Sequence, residues 1–177
     1  MVTALQVGHP ARPVLAKAVA LGWGKDERLG GFLGQFAANS EPSVHQGILA
    51  GLDDENPSTA FSEYMLRMVQ EERDPAVLAV ALGVDRIEAA ATAAYAPRFV
   101  QAIEARMAEG TLDAVTRQHA SFAIAAAGLR ATELAVATLR RLAASEKREA
   151  LAEKMRQAAD ALQAGNATLK SLESLFE

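Results

Sequence analysis

Pro10, Pro42 and Pro75 stand 32 and 33 residues apart, and each opens a run of apolar residues at helical spacing. Proline suits the first turn of a helix, where its missing N–H has no intrahelical partner, and it cannot lie inside one without breaking it. Glycines at 22, 83, 110, 128 and 165 follow periodic runs as stops. Breaks this frequent restrict the chain to about ten helices of roughly two to four turns each. A helix that short cannot hide its apolar stripe alone, so several must share one core.

Strand signals are nearly absent. Alternating β-branched runs do not occur, and the abundant Ala, Leu, Glu, Arg and Gln favour helix. The spacing predicts a first helix carrying Val14, Leu15, Ala18, Val19 and Leu21 inward, and a second from Asp26 with Leu29, Phe32, Leu33 and Phe36. Ser40 is expected to cap a third (Val44, Ile48, Leu49, Leu52), Asn56–Pro57 a fourth (Phe61, Met65, Met68, Val69) and Asp74–Pro75 a fifth. Asp85 should cap an alanine-rich run reaching Tyr95, broken by Pro97. Phe99, Val100, Ile103 and Met107 continue inward to Gly110, and Thr111 caps the next helix, which ends at Gly128. Ser145 should begin a charged helix to about Ala164, and a short helix closes the chain.

Half of the residues are hydrophobic but only 5% are aromatic, so the core should be built from alanine and closely approaching helices. With 23% of its residues charged, the chain is expected to form one globular domain over 1–177, with 145–177 as C-terminal capping or partner-binding helices. No cysteine is present, which excludes disulfides, thiolate nucleophiles and sulfur-ligated zinc. The start, MVTALQVGHPARP, lacks the basic residues and long apolar run of a signal peptide, and no window is long enough to cross a bilayer. The expectation is a cytoplasmic protein without a membrane segment.

"DPAVLAVALG", from Asp74, echoes "EPSVHQGILAGL", from Glu41. Asp74, Pro75, Val77, Ala81, Leu82 and Gly83, and less fully Glu41, Pro42, Val44, Ala50 and Leu52, resemble the first helix of HEAT-like repeats. The resemblance implies an α-solenoid-like stack of antiparallel helix pairs with no chemistry of its own; the alternative is an irregular multi-helix bundle. A period of this length with two helices per unit is itself the mark of a stacked array.

Motifs for chemistry are missing. His9, His45 and His119 are the only histidines; none follows a Glu three residues earlier, and no two share a helical turn, so di-iron and His-x-x-x-His sites are excluded. There is no phosphate loop or nucleophile elbow. Asp53, Asp54 and Glu55 cluster, but Pro57 and Phe61 fall where a calcium loop needs oxygens. No cofactor, metal ligand or catalytic residue is nominated, and the reading leans away from an enzyme. Asp113 and Arg117, four apart, are expected to pair on the surface beside His119.

Two features carry interaction content. Residues 117–148 are net basic in a chain whose formal charge is −4, and Arg130, Arg140, Arg141, Lys147 and Arg148 are candidates for contact with an acidic protein surface. Leu151, Met155, Ala158 and Leu162, then Leu169, Leu172 and Phe176, form a seam with 4-3 spacing. That seam either folds back onto the last helices or pairs between chains. The expected function is a non-catalytic protein–protein interaction or assembly module, an adaptor or chaperone-like scaffold with a protein partner and a possible homo-oligomer through the C-terminal helices. The alternative is a small all-α enzyme or ligand-binding bundle with a site between helices near His119 or Trp23. Net acidity disfavours nucleic acid.

Overall fold

A computed structural model describes residues 8–23, 41–52 and 59–177. The fold is all-α: among the described residues there are ten helices and no strand. In chain order they are α1 (Ala11–Trp23), α2 (Pro42–Leu49), α3 (Thr59–Glu71), α4 (Pro75–Ala81), α5 (Val84–Ala90), α6 (Ala96–Ala108), α7 (Ala114–Gly128), α8 (Thr132–Ser145), α9 (Glu149–Gln163) and α10 (Leu169–Phe176). No helix among the described residues is long and apolar enough to cross a membrane.

Local chemistry explains the starts. Asp74 accepts from the backbone N–H groups of Ala76 and Val77, both at 3.0 Å, and Pro75 begins α4, as expected from the sequence. Several boundaries differ from expectation. Glu41, not Ser40, is the N-cap of α2, and it makes no side-chain cap bond. Gly83, not Asp85, is the N-cap of α5, which stops at Ala90 instead of reaching Tyr95, and Pro97 lies in the first turn of a new helix, α6, where a proline costs nothing. Asp113, not Thr111, caps α7 by accepting from the Thr116 N–H at 2.7 Å, which also holds its carboxyl below the usual range. Ser145 ends α8; its hydroxyl donates back to the Leu142 carbonyl at 3.1 Å, and α9 starts only at Glu149. The last turn into α10 is tight: Gly165 has φ +69°, and Thr168 and Ser171 form a reciprocal capping box.

The core sits around α7. From Ala120 onward this helix is buried on nearly every side, with Ala120, Ala123, Ile124, Ala125, Ala126 and Ala127 all at zero exposure. A helix that is apolar all round must be surrounded, and α7 packs against α4, α5, α6, α8, α9 and α10. Small side chains let those neighbours come close. Successive contacts run from α1 to α2, α2 to α4, α4 to α7 and α7 to α9, while a second run joins α3 to α6 and α6 to α8.

α1 approaches α2 closely enough to change which of its residues are inside. A Cβ on Gly47 would lie 2.4 Å from the Pro13 carbonyl oxygen, and one on Gly51 would lie 2.4 Å from that of Lys17. Only small residues fit against such a contact, so Ala16 and Ala20 form the buried stripe of α1, which Arg12 extends with its guanidinium paired to Glu41 at 3.4 Å. Val14 and Leu21, expected inward, are exposed at 67% and 58%.

Candidate functional site

The five basic candidates do not form a free patch. Arg130 donates to the Glu88 carbonyl at 2.9 Å and pairs with its carboxylate. Arg140 bonds Asp160 at 2.7 Å and Gln163 at 2.6 Å, tying α8 to α9. Arg141 reaches Glu104 of α6 at 2.7 Å. Arg148 donates to the Ala114 carbonyl at 2.9 Å and to Glu146 at 3.1 Å. Lys147 is exposed and has no such partner among the described residues. Arg117 turns to Glu146 at 3.0 Å and to the Met107 carbonyl at 3.1 Å; the expected pair with Asp113 does not form, because Asp113 is committed to its cap.

Glu146 thereby becomes the most strongly held carboxylate of the region. Burial alone would raise its pKa. The side-chain and backbone donors of Arg148 and the guanidinium of Arg117 outweigh that and hold it at about 2.

The C-terminal seam is folded back. Leu151, Met155, Ala158 and Leu162 are buried, Leu172 is fully buried and Phe176 is 3% exposed, while Leu169 is half-buried at the edge. The Phe176 ring stacks on Phe122 of α7, with centroids 5.3 Å apart and planes 13° from parallel. Gln118 donates its amide to the Phe176 carbonyl.

A buried polar cluster was not nominated from the sequence. His45 of α2 is hydrogen-bonded through Nδ1 to a Glu72 carboxylate oxygen, and both side chains are more than nine-tenths buried. The other carboxylate oxygen accepts from the N–H groups of Arg73 at 2.8 Å and Asp74 at 2.7 Å, so it holds the α3–α4 link. Arg106 of α6, 5% exposed, donates to the Glu72 carbonyl at 2.8 Å and to Glu109 at 2.7 Å. Tyr64 lies alongside, its phenol pushed up by burial and by the Glu72 charge. The sequence held one signal: His45 falls three and four residues before Ile48 and Leu49, on the apolar face of its helix. His45 Nε2 has no hydrogen-bond partner among the described residues.

Two surface hollows accompany these elements. One, of about 310 Å³, runs along α6 over Arg98, Gln101, Ala102 and Arg106, with Gln70 of α3 beside it. Its arginines are already paired, Arg98 with Glu63 at 2.8 Å and Arg106 with Glu109. The other, of about 200 Å³, lies between α7 and α10 and includes the exposed His119. Among the described residues no group of three or more His, Asp or Glu side chains could hold a metal ion. The acidic run at 53–55 and the Trp23 side chain lie outside the described residues.

No protein-family profile matches the chain, and no curated protein or solved structure matches it either.

Proposed function

We propose that this chain is a non-catalytic protein-interaction or assembly module, built as a stack of helix pairs of the HEAT-like kind. One observation carries the reading. Four arginines reach other helices across similar stretches of chain: Arg98 to Glu63 across 35 residues, Arg141 to Glu104 across 37, Arg106 to the Glu72 carbonyl across 34, and Arg148 to the Ala114 carbonyl across 34, while Arg130 to Glu88 spans 42. An offset that repeats is what neighbouring copies of one unit would produce, and the two runs of helix contacts agree with it. Such arrays offer long continuous surfaces rather than a closed reaction chamber. Lys147 and the outer edges of Arg140 and Arg141 supply the basic ground for an acidic partner surface, with electrostatics setting encounter rate more than affinity.

Native mass spectrometry on the tagged chain, purified from its own cells at low salt, tests this. A protein complex of fixed stoichiometry, weakened by Arg140→Glu with Arg141→Glu, is the expected result. A monomer carrying a small molecule would overturn the reading in favour of a ligand-binding bundle.

A further inference from the structure

We infer that the cleft between α7 and α10 is a receptor for an organic cation, an alkylammonium or alkylguanidinium group. Its floor is apolar where Phe122 and Phe176 stack, and Val115, one turn before the lining residue His119 on α7, is 63% exposed. Its walls offer acceptors. Gln118 donates one amide N–H to the Phe176 carbonyl, which leaves its amide oxygen as an acceptor and its second N–H. Glu173 and Glu177 line the mouth, are exposed, and form no ion pair among the described residues, although carboxylates such as Glu63, Glu104 and Glu146 are each matched to an arginine. No lysine or arginine lines the cleft.

Two further effects make the field more negative. Glu173 and Glu177 are one helical turn apart, a spacing at which like charges repel. Both also sit in the last turn or at the cap of α10, where the carbonyl end of the helix dipole already disfavours anions. A cation seated between them relieves both penalties, while its methylene stem lies along the half-buried Phe122. The volume of about 200 Å³ suits a group the size of a side chain. The inference stands on this cleft alone and does not depend on the assembly reading.

The test is a titration of the full ¹⁵N-labelled chain, followed by amide shifts, with three probes: agmatine, acetyl-Leu-Arg-Leu-amide, and glutarate as an anionic control. Saturable shifts at Val115, His119 and Phe122 with the cationic probes only are expected. Affinity should fall about fivefold in Glu173→Gln with Glu177→Gln, two exposed positions where loss of charge does not threaten folding. Tighter binding of the peptide assigns the cation to a protein side chain; equal or tighter binding of agmatine assigns it to a free amine. Absence of saturable shifts with either cation, or unchanged binding in the double variant, overturns the proposal.

Discussion

The guanidinium of Arg106 donates to the main-chain carbonyl of Glu72, 34 residues upstream, at 2.8 Å inside the core. The same group holds Glu109, and the Glu72 side chain in turn holds His45 and the backbone entering α4. One arginine on α6 therefore stabilises the geometry of the α3–α4 link. Arg106→Met keeps an unbranched apolar stem but strands the carbonyl and leaves Glu109 without this partner. It should lower stability by about 2–3 kcal/mol in urea unfolding. Arg86→Met, which removes a part-buried bond to the Leu49 carbonyl at 3.0 Å, should cost about 1 kcal/mol. Equal costs for the two would mean that burial does not decide the strength of these links.

Glu146 gives the fold an acid limb. Its carboxyl is held at about 2 against an ordinary 4.5. A depressed folded-state pKa means that the unfolded chain binds the proton first as pH falls. The stabilisation is complete above about 4.5 and is lost progressively toward 2. After discounting for solvent screening it amounts to about 1–2 kcal/mol. Glu146→Gln should remove it at neutral pH and flatten the loss of stability between pH 4.5 and 2. An acid limb of unchanged slope in the variant would assign the effect to other carboxylates.

The contact of α1 with α2 depends on two missing side chains. A methyl at Gly47 or Gly51 would meet main-chain oxygen at 2.4 Å, and backbone cannot swing aside as a side chain can. Gly51→Ala should cost about 2 kcal/mol, and amide exchange along α1 should rise with little change at α9. Gly128→Ala meets side chains instead, the Ala135 methyl at 2.7 Å and Leu162 at 2.8 Å, so it should strain the α7–α8–α9 junction and leave α1 protected. If both variants loosen the same amides, the two ends of the molecule are not separable units.

What could be read from the sequence was what neighbours in the chain determine. Asp74 followed by Pro75 announces a helix start because cap and first turn lie within three residues. The 4-3 spacing from Leu151 to Phe176 announces a buried stripe for the same reason. Which surface the stripe meets is set at long range: Phe176 finds Phe122, 54 positions earlier in the chain, with no local signal pointing there. The basic residues from 117 to 148 looked like a patch because their partners, Glu88, Glu104 and Asp160, lie on other helices. Val14 and Leu21 satisfied a helical period, yet the glycines of α2 chose the stripe of small residues instead. Thr111 and Ser145 had the right chemistry for caps; Asp113 won the first position by geometry, and Ser145 bonded backward into its own helix.

The terminal helix offers the last test. α10 has only eight residues, too few to be helical in isolation, so it persists because Leu172 and Phe176 are buried against α7 and α9. Phe176→Ala removes a stacked ring and opens a cavity over Phe122, at a cost of about 3 kcal/mol if α10 stays docked. The docking energy of so short a helix cannot greatly exceed that figure, so release of α10 competes with tolerating the cavity. Release should show as loss of amide protection from Thr168 onward, with α8 and α9 still protected by their mutual contact. It would also expose the apolar rows of α7 and α9 that Leu172 had covered. Light scattering then separates two fates for that surface. Mass that rises with concentration in the variant, but not in the parent, identifies the vacated groove as adhesive and α10 as its shield. A variant that remains monomeric, with α10 amides unprotected, would show that the groove closes on itself.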